Sequence, residues 1–288
     1  MLQLLQGAAV SMRSTRLGTD WTVNKPTSLL TSPLFHVSGL SAGVVTALFA
    51  GTTTYIYEGR FDPQNILRVI DKYKITSWGG AVPTALKRVL DEAPNHNLDY
   101  ESMLVVGGGG APMPETLIAR TKQIFKNVEH NFGYGYGLTE SGAITVVNWG
   151  DDLNNFPRSP GKPMPTIEVK LIDDDGNEIF DDEVEGEICV RSPSVMLGYY
   201  KNQIESKKSL NKDRFLSTGD YGYRKDDLYF ISSRRTDLIL RGAENVYPQE
   251  IEILLDQYDG VAESAVIGVP HDDLGEEVKA IVVLENNK

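Results

Sequence analysis

Nine consecutive residues, Gly133-Tyr134-Gly135-Tyr136-Gly137-Leu138-Thr139-Glu140-Ser141, combine flexible backbone, a flat ring, a hydroxyl and a carboxylate. A ring such as Tyr136 can stack on a base, and Thr139 can donate a hydrogen bond to a phosphate oxygen. Glu140 can hold a hard cation such as Mg²⁺. The same run also reads as a glycine-rich turn with an incidental acid. A second run, Gly107-Gly108-Gly109-Gly110-Ala111-Pro112, reads as following a strand and preceding a helix. Glycine there lets a ligand approach the backbone, and the helix start offers N–H groups to an anion, although tight strand-to-helix turns need glycine too. In Ser217-Thr218-Gly219-Asp220 the acid beside glycine can bridge vicinal hydroxyls such as those of a ribose, while on its own the segment is an ordinary turn.

Alternating helical and extended patterns supply the frame up to about residue 150. Asp62 followed by Pro63 marks a helix start, with Ile66, Leu67, Ile70 and Tyr73 at three- and four-residue spacing. An extended segment over 75–78 follows, and Pro83 opens a second helix with Leu86, Val89 and Leu90 on one face. A strand over 103–106 leads into the glycine run, a third helix spans about 115–125, and another strand is expected over 128–132. This rhythm implies an α/β fold, a parallel sheet with helices on its faces. Beyond residue 160 short strands over 167–172, 186–191 and 228–231 suggest a small antiparallel barrel. Its turn cluster, Asp173 to Asn177, has the residues a hairpin needs, and the acids Asp181, Asp182, Glu183 and Glu185 read as a solvated rim. A last unit begins near Thr236. Pro248 opens its helix, Ile251, Leu254, Leu255 and Tyr258 form an apolar stripe, and Gly260 stops it. Strands over 264–269 and 278–284 complete it.

Composition removes several function classes. The formal net charge of −12 argues against a general nucleic-acid or anionic-membrane surface. The single cysteine, Cys189, excludes an internal disulfide framework, and the four histidines, at 36, 96, 130 and 271, lack zinc-ligand spacing. No apolar run near the N-terminus is long enough to span a bilayer, so no transmembrane segment and a cytoplasmic location are expected.

In combination the motifs become specific. Pro33-Leu34-Phe35-His36, Gly109-Gly110-Ala111-Pro112, Tyr136-Gly137-Leu138-Thr139-Glu140, Gly186-Glu187-Ile188-Cys189-Val190-Arg191, Ser217-Thr218-Gly219-Asp220 and Arg234 through Glu252 occur in that order. From about residue 27 to the end, the series resembles the adenylate-forming superfamily of acyl-CoA synthetases, luciferases and peptide-synthetase adenylation domains.

The resemblance implies ATP-dependent activation of a small-molecule carboxylic acid through an acyl-adenylate, followed by thioester formation with coenzyme A. ATP, Mg²⁺ and coenzyme A would be the reactants besides the acid. Thr139 would contact the α-phosphate and Glu140 would coordinate Mg²⁺. Tyr136, Gly137 and the Gly110-Ala111-Pro112 backbone would form the adenine slot, Asp220 would take the ribose hydroxyls, and Arg234 would assist. His36 would stand near the acyl carboxylate, though a lone His beside Phe35 is by default core packing. Trp78 and Val82 are candidates for the acyl pocket but read more simply as core. The family's hinge would fall at Thr236, where Asp or Lys is commoner, and Gly242 would leave room for the pantetheine arm. Residues 1–235 would be the large N-terminal domain, with 160–235 barrel-like, and 236–288 the start of a small α+β domain. The family's upstream phosphate loop and its C-terminal lysine have no counterpart in these residues, so the chain is expected to be an internal portion of a longer enzyme, with low or no adenylation of its own. A non-catalytic nucleotide-binding module and an adenylation domain loading a carrier protein are the alternatives.

Overall fold

A computed structural model describes residues 26–111, 113–128, 131–234, 238–241, 244–271 and 275–284. The chain divides into two compact units, Met1–Val169 with Val190–Leu216, and Lys170–Cys189 with Ser217–Lys288.

The first unit is built on a seven-stranded sheet in the order β2-β1-β3-β4-β5-β6-β7. Its strands are β1 (Thr27–Leu30), β2 (Thr53–Ile56), β3 (Ser77–Ala81), β4 (Val105–Gly109), β5 (Phe132–Leu138), β6 (Ala143–Trp149) and β7 (Lys162–Pro163). The first five run parallel, as expected, and β6 and β7 extend the sheet antiparallel. Sequence reading named no strand at β1, β2 or β6. β1 and β2 are four residues each, and pairing rather than local pattern defines them, whereas β6, Ala143-Ile144-Thr145-Val146-Val147-Asn148-Trp149, carries the β-branched composition of a strand that the reading passed over. The strand expected over 128–132 is displaced. Lys126–Val128 is a 3₁₀ turn, and the strand begins at Phe132.

The helices of this unit are α1 (Thr46–Ala50), α2 (Pro63–Tyr73), α3 (Pro83–Glu92), α4 (Glu115–Ile124), α5 (Asp151–Asn155) and α6 (Gln203–Ser209). Asp62 caps α2 as anticipated, its carboxylate accepting from the N–H groups of Gln64 (3.0 Å) and Asn65 (3.3 Å). One hydrophobic core joins Ile66, Leu67 and Ile70 of α2, Leu86, Val89 and Leu90 of α3, and Leu117 and Ile118 of α4 to Leu29, Trp78, Val106 and Phe132 of the sheet. Fully burying each such side chain contributes about 1.5–3 kcal/mol, so this core holds the strand ends in place.

The block expected as a barrel takes the form of a five-stranded sheet, β12-β11-β10-β8-β9. Its strands are β8 (Glu168–Ile172), β9 (Glu178–Ile179), β10 (Gly186–Arg191), β11 (Leu216–Lys225) and β12 (Leu228–Arg234). The hairpin at Asp173 forms as read. The Asp173 carboxylate accepts from the N–H groups of Asp175 (3.0 Å) and Asn177 (2.7 Å), and Gly176 has φ +86°. Of the acidic rim, Asp182 pairs with Arg224 at 3.0 Å and Glu183 with Lys225.

The last sheet, β14-β13-β16-β15, comprises β13 (Ile239–Arg241), β14 (Glu244–Val246), β15 (Val261–His271) and β16 (Gly275–Leu284), with α7 (Pro248–Leu255) against β15. The apolar stripe expected on this helix is only partly buried. Leu254 is 58% and Tyr258 69% exposed, and Tyr258 lies beyond the helix end. The expected boundary at 235/236, Thr236 and Gly242 lie outside the described residues.

Candidate active site

The parallel strands run β2-β1-β3-β4-β5, so the direction of chain progress across the sheet reverses at β1. In open α/β sheets of this kind ligands settle outside the carboxyl ends of the strands, near the point of reversal. Three of the sequence motifs follow carboxyl ends of this sheet, one at β1 itself and two further along it. Pro33 to His36 follows β1, Gly110 and Ala111 follow β4, and Thr139 and Glu140 follow β5. The first of these is tied to the end of β3, where the Ser32 hydroxyl donates to the Gly80 carbonyl at 3.4 Å.

His36 is exposed, so packing is not its role. The Ser38 N–H donates to its Nδ1 at 3.2 Å, and the Ser38 hydroxyl lies 2.8 Å from the same atom. A backbone N–H can only donate, so Nδ1 is the acceptor and Nε2 is left as the donor of the neutral ring. The loop is held by Gly39, because a Cβ there would lie 2.1 Å from the Pro33 carbonyl oxygen. A π-helical turn, Ser38–Val45, follows and packs against β3 and β6.

The glycine runs differ from the sequence reading. Gly107, Gly108 and Gly109 are within β4, not beyond it, and Gly109 lets two backbones approach, since its Cβ would sit 2.8 Å from the Gly135 carbonyl oxygen. Gly110 alone has the left-handed conformation, φ +80°, and it is exposed with Ala111 where β4 ends. Pro112 lies outside the described residues. Likewise Gly133 through Leu138 form β5 itself. Gly133 seats the Trp149 ring across the antiparallel pair, where an added Cβ would stand 1.9 Å from ring carbon Cε3. Tyr134 is buried, and burial pushes its phenol up to about 12. The ladder shifts register between Tyr136 and Gly137, and such bulges re-aim side chains beside functional sites. Tyr136 is half-buried, and its carbonyl accepts from the Thr145 hydroxyl at 3.0 Å. Trp78 belongs to the core, with its indole N–H on the Thr31 hydroxyl at 3.0 Å, whereas Val82 is exposed at the start of α3.

Beyond the bulge Thr139–Ser141 forms a 3₁₀ turn. The Ser141 hydroxyl accepts from the Leu138 N–H at 3.1 Å and donates to the Leu138 carbonyl at 2.8 Å. Thr139 is left exposed and Glu140 half-buried. The Tyr199 hydroxyl donates to Glu140 Oε1 at 3.0 Å. Burial first, and then that hydrogen bond, raise the Tyr199 pKa.

In the second unit Ser217 to Asp220 is strand, not turn, with Gly219 at φ +75°. Asp220 is buried, and its N–H donates to the Thr218 hydroxyl at 3.1 Å. Asp220 and Arg234 pair directly across β11 and β12. Strand pairing thus brings to one rung two residues that sequence reading joined only through the resemblance.

An acid at the end of β5 and, at the end of the neighbouring β4, an exposed left-handed glycine between strand and helix suit an anionic ligand with its cation. The AMP-binding enzyme family matches residues 3–200, and its C-terminal domain matches residues 250–288. The chain belongs to the AMP-binding enzyme family.

Relatives of this chain include a long-chain-fatty-acid–CoA ligase of Salmonella typhimurium, 34% identical over 252 residues that make up 87% of this chain and 44% of that protein. Among solved structures, o-succinylbenzoate CoA synthetase from Bacillus subtilis with its acyl-adenylate OSB-AMP is 30% identical with a TM-score of 0.81, covering 99% of this chain and 56% of that one. The same synthetase with ATP and magnesium ion superposes at a TM-score of 0.80, with the same identity and coverage. The chain thus spans about half the length of the proteins it matches. Among the described residues no helix is long and apolar enough to cross a membrane.

Sequence reading of this family member passes over the segment from Ser194 to Tyr199. The Ser194 hydroxyl donates to the Ser141 carbonyl at 2.7 Å, and the Met196 N–H donates to the Glu140 carbonyl at 2.8 Å. Tyr199 lies 59 positions from Glu140, and no local spacing couples them. The signal available is the strand-poor stretch between two motifs, which carries Gly198 between the apolar Val195-Met196-Leu197 and the aromatic pair Tyr199-Tyr200.

Proposed function

We propose that this chain carries the nucleotide-binding and much of the acid-activating machinery of an AMP-forming acid–thiol ligase, an acyl-CoA synthetase. The observation that carries the reading is the convergence of the His36, Gly110 and Glu140 segments on the carboxyl ends of β1, β4 and β5, in a chain of this family. The reaction brings a carboxylate to a phosphate, two anions whose repulsion grows as water is excluded. Cations and aimed donors must offset it. Glu140 would hold Mg²⁺, whose chemistry is to withdraw charge from the phosphate oxygens. Its carboxylate fits that task, being an oxygen donor half-sheltered at a strand end with one oxygen already oriented.

The Thr139 hydroxyl, exposed beside it, would donate to the α-phosphate. The Gly110-Ala111-Pro112 backbone with Tyr136 and Gly137 would receive the adenine. Asp220 would accept from the ribose hydroxyls, with Arg234 opposite it on the ladder. His36, with Nε2 as donor, would orient the acid's carboxylate. Thr236 would be the pivot of a small domain over 236–288, and Gly242 would border the coenzyme A arm. ATP, Mg²⁺ and coenzyme A are the proposed reactants with a small carboxylic acid, and a reaction consuming them suits the cytoplasm.

Because the chain matches about half of each relative, binding and turnover are tested apart. The expected outcome is Mg²⁺-dependent binding of ATP by the 288-residue chain, weakened about tenfold or more in Glu140→Gln, with low ATP–pyrophosphate exchange across a panel of carboxylic acids. Equal ATP affinity with and without Mg²⁺, in both proteins, would sink the assignment. Robust exchange would overturn only the low turnover.

A further inference from the structure

Glu140 ends a strand on a single turn, so its carboxylate has little of its own element to fix it. What fixes it comes from 50 and more positions later. The segment after β10 lies along the 3₁₀ turn and grips it at successive points. Ser194 reaches the Ser141 carbonyl, Met196 reaches the Glu140 carbonyl, and Tyr199 reaches the Glu140 carboxylate. The fit at the first point is close. Gly142, φ +85°, has room for no Cβ, which would lie 2.7 Å from the Ser194 carbonyl oxygen. The segment is anchored in turn. The Tyr199 N–H donates to the Ser206 hydroxyl of α6 at 2.8 Å, and Arg214 donates to the Met196 carbonyl at 2.7 Å. Gly198 makes the first of these anchors possible, since a Cβ there would stand 2.9 Å from the Ser206 hydroxyl oxygen. Among the described residues, the phenol makes the one hydrogen bond given to the Glu140 side chain.

We propose that Tyr199 is a positioning residue for Glu140, holding Oε1 so that the carboxylate meets a divalent cation in a single orientation. The inference rests on the reading of Glu140 as the cation holder. A carboxylate free to rotate loses orientational freedom when a cation arrives, and a donor already engaged on one oxygen has removed most of that freedom beforehand. The donor is neutral, so it orients the carboxylate without competing for its charge. The Tyr199–Ser206–α6 contacts transmit the order of a helix to a side chain at the end of a sheet.

The test is Mn²⁺ binding in the presence of ATP, followed by electron paramagnetic resonance on the 288-residue chain. Tyr199→Phe keeps the ring and removes only the hydroxyl. The expected result is Mn²⁺ affinity lower by about tenfold, with the melting temperature and the metal-free affinity for ATP unchanged. A merely structural role would shift the melting temperature instead. Unchanged Mn²⁺ affinity in Tyr199→Phe, beside a loss in Glu140→Gln, overturns the inference and leaves the reading of Glu140 standing. Unchanged affinity in both, or no Mn²⁺ binding by the parent chain, overturns the two together.

Discussion

At the scale of single residues, Gly133 and Gly135 are set by the side chains that the paired strand β6 lays against them. The alternation Gly133, Gly135, Gly137 reads as flexible backbone laid open to a ligand. In β5 it is a period-two strand in which Gly133 seats Trp149 and Gly135 faces Ile144 from β6. The partner is 16 positions away on the paired strand β6, so no window centred on the glycines contains the reason for them. The acid at the end of the run is a candidate on sequence alone, because the chemical meaning of Thr139-Glu140 does not depend on whether the glycines before it are turn or strand. Gly133→Ala tests the structural half. Its Cβ would meet a ring atom at 1.9 Å, and a ring within a paired strand cannot swing aside as a flexible chain end can. A loss of about 1–3 kcal/mol is expected, measured by denaturant unfolding. Stability equal to the parent's would mean that Trp149 repacks at no cost.

At the scale of elements, what sequence reading recovered follows the range of the forces involved. The helices α2 and α3 are specified within a dozen residues by a cap or proline at the start and an apolar stripe, and both appear where expected. The strands β1 and β2, four residues each, have little pattern of their own and exist because they pair. The helix α7 shows the opposite case. Its stripe is present in sequence, yet Leu254 stays exposed. A stripe states which face would be buried and not whether a partner covers it. For α3 the partner is plain, since Leu86 is fully buried among α2, α4 and the sheet. Leu86→Ala should therefore cost about 2–5 kcal/mol, transfer and cavity together. The measurement is the urea midpoint at unchanged slope. A cost below about 1 kcal/mol, outside the usual range for such a truncation, would show that the core closes around the gap.

At the scale of the whole chain, charge rather than pattern decides the behaviour in acid. With 40 acidic and 28 basic side chains the molecule is negative at neutral pH, and its isoelectric point is near 4.9. Lowering the pH to that point relieves repulsion among the acids, and lowering it further builds positive charge. One specific pair in the second unit acts within the lower window. Arg241 donates to both oxygens of Glu277, at 2.7 and 3.2 Å, and this guanidinium, with the Val278 N–H, holds the Glu277 carboxyl down at about 2 against an ordinary 4.5. A carboxylate depressed by folding contributes stability above its unfolded pKa and loses it as pH falls through the folded one. The contribution is thus complete above pH 4.5 and disappears progressively towards pH 2. Glu277→Gln removes the titrating group while keeping the shape. The parent chain should melt higher than the variant at pH 6, and the gap should close between pH 4.5 and 2 while general charge repulsion lowers both curves alike. Melting curves at a series of pH values separate the two effects, since only the difference between the proteins belongs to the pair. A gap that persists unchanged below pH 2 would show that the ion pair contributes through packing and not through charge.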